Sequence, residues 1–196
     1  MPFTRAKIQP LTSYLKTDNL DDYTVELLEY GISAVCLNLP KTILVIFICK
    51  KLKLLKPLLL IFLFYGSIRN HSRGIHSRTP LACFLIGTAK FLSMAYLSTV
   101  ITIPKKIYNA IFVYFFCVYL KYAPSGTEVN PVYKDQIKPL KIKSVLLVSI
   151  YYFIGLKRGL VRNITVLSLL SQSVSIIPIT YKLAKQKGGV VHEDEE

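Results

Sequence analysis

The sequence predicts an all-α fold: a polytopic helical membrane protein of four to six transmembrane helices, preceded by an N-terminal amphipathic helix. Three observations carry this. Hydrophobic residues make up 52% of the 196, and the mean hydropathy is positive at +0.43, a balance rare in water-soluble domains. The apolar residues are gathered into long runs rather than spread in strand-like alternation. The cations that give the net charge of +14 flank those runs, where they suit lipid headgroups and topology setting.

The elements follow in order as one membrane-embedded domain, residues 1–196. Residues 1–30 read as an N-terminal interfacial segment, polar to about residue 19 and then amphipathic. Leu20, Tyr23, Leu27 and Tyr30 fall on one helical face among Asp21, Asp22, Glu26 and Glu29. Six apolar segments come next, at 31–49, 54–68, 80–103, 107–122, 143–156 and 161–181. A span needs about 17–25 residues, which 31–49, 80–103 and 161–181 meet alone. The segments 107–122 and 143–156 need neighbouring residues. The segment 54–68, preceded by several lysines, reads as a tilted span or a re-entrant element. Pro40, Pro57, Pro104 and Pro139 mark kinks or ends. Residues 186–196 are a flexible acidic tail.

With six spans and both termini in the cytosol, more Lys and Arg face inward than outward, among them Arg69, Arg73 and Arg78; Arg162 falls on the outer side. Lys41 and Lys90 lie inside apolar runs. Both are expected to snorkel, Lys41 from a span end beside Pro40. Lys90, one to two turns below Cys83, is placed to face a site there if it does not. The basic charge is not interleaved with exposed aromatics in the manner of a nucleic-acid surface, which argues against DNA or RNA as a partner. Cys36, Cys49, Cys83 and Cys117 include no C-x-x-C pair, so neither a metal nor another cofactor is indicated.

Cys83 alone lies at a polar-to-apolar transition. Thr79-Pro80 precedes it, with Thr as a favoured N-cap and Pro favoured at the first helical position. That puts Cys83 in the first turn, where backbone N–H groups and the helix dipole favour a thiolate and an oxyanion. His76 lies upstream. On one continuous helix residues 76 and 83 would stand about 10 Å apart along the axis, so a working pair requires a break between them. Gly74, Ser77, Thr79 and Pro80 provide the signals for one. His71 is a rival base.

The spacing Arg69-x4-Gly74-x-His76-x6-Cys83 resembles the AgrB family, the accessory gene regulator B peptidases of Gram-positive bacteria. A second stretch, Lys121-Tyr-Ala-Pro-Ser-Gly-Thr-Glu-Val-Asn-Pro131, resembles that family's Lys-Tyr-Ala-Pro segment, and a basic run from Lys134 to Lys143 follows it. The resemblance spans about residues 27–185. It implies a multi-pass cysteine endopeptidase of the bacterial cell membrane, its catalytic loop facing the cytosol. Such a protein removes the C-terminal tail of an AgrD-type quorum-sensing propeptide through a Cys83 thioester and promotes thiolactone or lactone closure. Cys83 would be the nucleophile, His76 its base, and Arg69 and Gly74 supporting positions. A homodimer is implied as well.

Lys134, Lys138, Lys141 and Lys143 are expected both to anchor a cytosolic segment and to dock the propeptide's acidic tail. The alternative from another class is a small multi-pass transporter or exporter without covalent chemistry. It has the spans but lacks clear paired carboxylates for ion coupling.

Overall fold

The computed structural model describes residues 22–75, 79–127, 132–157 and 159–184. They form seven helices in chain order: α1 (Asp22–Lys51), α2 (Leu55–Ser72), α3 (Pro80–Val100), α4 (Lys105–Tyr122), α5 (Lys134–Lys157), α6 (Gly159–Ile176) and the short α7 (Pro178–Leu183). No strand occurs among the described residues; one isolated bridge joins Arg73 to Ser125. Helices cover all six apolar segments.

The ends are set by local chemistry. Pro104 takes the N-cap position of α4, and Pro80 the first helical position of α3. The α1–α2 turn closes with Lys53 left-handed at φ 58° and the Leu54 N–H donating to the Cys49 carbonyl at 2.7 Å. Two expectations are corrected, at residues 22–30 and 161–181, and one alternative is decided. Residues 22–30 are not a separate amphipathic helix: α1 runs through them unbroken, since no Pro or cap stands at the junction and a lone Gly31 is tolerated inside a helix. Of the two readings of 54–68, a tilted span or a re-entrant element, the unbroken 18-residue helix fits the span. The segment 161–181 is divided, because Pro178 forces the residue before it out of the helical region: Ile177 sits at φ −73°, ψ 137°.

α6 is the central post. It packs against α2, α3, α4 and α5, while α1 lies outside, against α2 and α3. The distribution of polarity is inverted relative to a water-soluble bundle. Buried on α6 are Arg162, Asn163, Thr165, Ser168, Gln172 and Ser173. Exposed on the outside are large apolar side chains such as Phe47 at 59%, Leu63 at 61%, Val113 at 62% and Phe153 at 64%. So wide an apolar exterior over polar packing suits hydrocarbon as the surrounding medium. Among the described residues, two helices, Leu81–Val100 and Lys134–Lys157, are long and apolar enough to cross a membrane.

The buried polar groups of α6 tie down the loops at both of its ends. At its N-terminal end, the Arg162 guanidinium donates to the carbonyls of Ile103, Gly155 and Leu156. Asn163 donates to Ser98 and Ile101 and accepts from the Ile103 N–H. Arg162 is thus a buried loop clamp rather than an outward-facing topological charge. The carbonyls of Ser98, Gly155 and Leu156, which helix ends would otherwise leave unpaired, are satisfied in this way, as are loop groups at Ile101 and Ile103.

Candidate active site

At the other end of α6 the chain leaves α2 through Arg73 and Gly74. Gly74 has φ +116°, a conformation that only glycine adopts readily, and a Cβ there would meet Arg69 Nη1 at 2.7 Å and the Ser175 carbonyl at 2.8 Å. Arg69 is wrapped by this turn. Its Nη1 donates to the Arg73 carbonyl at 2.9 Å, Ser175 Oγ at 3.1 Å and Gln172 Oε1 at 3.5 Å. Its Nη2 reaches the carbonyls of Gly74 at 3.2 Å and Ile75 at 2.5 Å. The fully buried Gln172 also donates to Ser72 Oγ and the Arg73 carbonyl.

The second sequence stretch docks here. The Gly74 N–H donates to the Ser125 carbonyl at 2.7 Å, and the Ser125 N–H to the Ser72 carbonyl at 3.0 Å. The Tyr181 hydroxyl, from α7, joins the same Ser125 carbonyl at 3.1 Å. Two stretches fifty residues apart in the chain therefore form one seam.

Beyond the turn, α3 begins as its sequence predicts. Thr79 is extended at the N-cap, and its hydroxyl accepts from the Ala82 N–H at 3.2 Å. Cys83 is half-buried in the first turn, and its N–H donates to the Thr79 carbonyl at 3.0 Å. This corrects one expectation. Pro80 has no N–H, and the N–H groups of Ala82 and Cys83 are both engaged by Thr79, so those groups are not available to an oxyanion.

Cys83 opens onto a cavity of about 840 Å³ that it shares with Asn38, Lys41, Arg69, Gly87 and Lys90, residues of α1, α2 and α3. The far wall comes from α6 and α7, through residues including Ser175 and Thr180. Of the predicted site residues, Arg69 and Cys83 line this space, and Gly74 buttresses Arg69 behind it. His76 lies outside the described residues. His71 remains on α2 with Nδ1 3.0 Å from the Ser67 carbonyl.

The basic run stands elsewhere. Lys134, Lys138, Lys141 and Lys143 are on α5, which packs against α2, α4 and α6 and contributes nothing to the cavity wall. They are helical rather than part of a connecting segment, and Lys134, Lys138 and Lys141 share one face by their spacing.

Lys41 and Lys90 do not snorkel. Lys41 is 8% exposed, donates to Asn38 Oδ1 at 2.6 Å and lies over Gly87, with Nζ 3.3 Å from where a Cβ would stand. Lys90 donates to the Tyr65 hydroxyl at 2.6 Å, with Nζ 3.8 Å from the Tyr65 ring centroid and 5.1 Å from that of Phe91. The only signal in the sequence was a pair of lysines inside apolar runs; that they converge follows from α1 packing on α3.

The accessory gene regulator B family model matches residues 8–176, most of the chain. The chain belongs to this family. Among AgrB relatives, it is 24% identical to a putative AgrB-like protein of Clostridium acetobutylicum over 88% of its own length and 83% of the relative's. It is 24% identical to accessory gene regulator protein B of Staphylococcus epidermidis, over 89% and 91%. A putative AgrB-like protein of Listeria innocua is 27% identical over 81% and 79%. No solved structure matches the chain. Membership of the AgrB family supports a role in an accessory gene regulator system of quorum sensing, and with the two apolar helices it supports a membrane protein.

Proposed function

We propose that this AgrB protein is a multi-pass membrane cysteine endopeptidase, with four to six spans, that cleaves an AgrD-type propeptide and closes it into a thiolactone or lactone. The observation that carries the reading is the Cys83 thiol at the first turn of α3, opening onto a large cavity shared with Arg69. In this reading the thiolate attacks the scissile carbonyl and a C–S bond forms. The C–N bond then breaks, the leaving nitrogen takes a proton from His76, and the C-terminal tail departs. A peptide thiol or hydroxyl next gives its proton to the now neutral His76 and attacks the thioester; the new C–S or C–O bond closes the ring, the enzyme's C–S bond breaks, and the Cys83 thiolate returns. Exchange of one thioester for another is nearly balanced in bond energy, so exclusion of water decides between ring and linear acid, and a recessed cavity supports that exclusion.

Arg69 and Gly74 act through the turn they hold. The turn carries the chain from α2 toward His76, so their role is to position the base, not to touch substrate. The face of α5 bearing Lys134, Lys138 and Lys141, with Lys143 nearby, docks the acidic tail at the cytosolic surface. The catalytic loop faces the cytosol and the protein works as a homodimer in the bilayer.

Co-expression with the propeptide, wild type beside Cys83→Ala, tests this by intact mass. The expected result is loss of the tail fragment in the variant and a Cys83-linked peptide adduct in the wild type. Cleavage that persists without Cys83 would sink the reading and favour a transporter.

A further inference from the structure

Among the described residues, the cavity below Cys83 holds cations without counter-ions. Among its described lining residues are Lys41, Arg69 and Lys90 and no Asp or Glu. The sequence reinforces this, since no acidic residue occurs between Glu29 and Glu128 or between Asp135 and Glu193. Of the acids of α1, Glu29 is the nearest to Lys41 in sequence, about 18 Å away along the helix at 1.5 Å per residue. Arg69 is occupied by the carbonyls of its own turn. Lys41 and Lys90 differ: their ammonium groups meet a neutral amide, a phenol and ring faces. A buried ammonium with only neutral partners is costly, and the described lining residues provide no carboxylate to offset it.

Position gives the charge a use. Gly87 and Lys90 lie one and two turns beyond Cys83 on α3, about 6 Å and 10 Å along the axis. The absent side chain at Gly87 is what lets Lys41 lie against α3 there. An extended peptide advances about 3.3 Å per residue, so a side chain reaching this pair belongs about two or three residues from the carbonyl attacked by Cys83. We propose that Lys41 and Lys90 form a carboxylate subsite that reads an Asp or Glu of the peptide two or three residues from the scissile bond. This rests on the peptidase reading and is distinct from docking of the tail on α5.

Binding, not turnover, tests it. The full-length Cys83→Ala protein in phosphatidylcholine nanodiscs is titrated with a fluorescent synthetic AgrD-type propeptide and with versions in which each acid is changed singly to Asn or Gln. One acid near the scissile bond should matter, its neutralisation weakening Kd on the order of 10- to 100-fold. In Lys41→Met that neutralisation should change Kd by less than about twofold, and Lys41→Arg should restore the loss. The neutralised peptide, bound equally by both proteins, reports that the variant is folded. Gly87→Ala, which crowds the Lys41 stem, should reproduce part of the effect by a second route.

The same loss in wild type and in Lys41→Met/Lys90→Met, or no binding of the propeptide at all, overturns the subsite. So does a phosphatidylglycerol arm in which the lipid abolishes peptide discrimination and co-purifies only when Lys41 is present, since the occupant is then a headgroup phosphate. Because the titrated protein lacks the nucleophile, this outcome is independent of whether cleavage requires Cys83.

Discussion

Arg69 and Lys41 border the same cavity and are held in opposite ways. Arg69 makes five hydrogen bonds, three of them to consecutive backbone carbonyls, so its guanidinium is fixed on every side by the turn it organises. Lys41 is more deeply buried yet has one short bond, to the Asn38 amide three residues earlier on its own helix. The difference separates a cation that builds the site from one that is kept ready for something else. Planar donors in a fixed fork suit the first task, and a compact ammonium on a flexible stem suits the second.

Stability measurements on the purified protein, by reversible unfolding in mixed SDS micelles, can break that distinction. Arg69→Met should be the most damaging, by about 4 kcal/mol, because it leaves several inward carbonyls without a donor. Gly74→Ala follows at about 3 kcal/mol, from the positive φ and the contact with the Ser175 carbonyl. Gln172→Leu removes the bonds to Ser72 and Arg73 and should cost about 2 kcal/mol. Lys41→Met should be the mildest, within about 1 kcal/mol of wild type or stabilising, since it removes a buried charge that no carboxylate balances. A loss at Lys41 equal to that at Arg69 would make Lys41 a structural cation and remove the contrast.

Much of this was legible in the chain. The apolar runs located α1 to α6, Thr79-Pro80 gave the start of α3, and Gly74 marked a break that its φ of +116° bears out. These are local signals, carried by residues within a turn of their effect. What the chain did not show was long-range. Gln172, flanked by Ser171 and Ser173, carries no local sign of its long-range contact, yet it pins a turn 99 residues earlier. Lys41 and Lys90 read as snorkelling lysines inside apolar runs, since nothing in either run says that α1 and α3 are neighbours. The division at Ile177 has a local signal in Pro178, masked by the continuous hydrophobicity of the run around it. The expectation of free N–H groups beside Cys83 failed for a related reason: the residue that makes a good cap also uses up the donors it caps.

The seam between Gly74 and Ser125 also constrains how members of such a family can be recombined. Ser72 and Gly74 on one side and Ser125 on the other are joined through backbone atoms, so their fit depends on path and spacing more than on side-chain identity. A chimera that imports residues 69–83 from a relative without residues 121–127 joins two half-seams shaped by different hosts. The two stretches are in effect one transplantable module interrupted by α3 and α4, and grafts that carry both halves should seat where single grafts misalign.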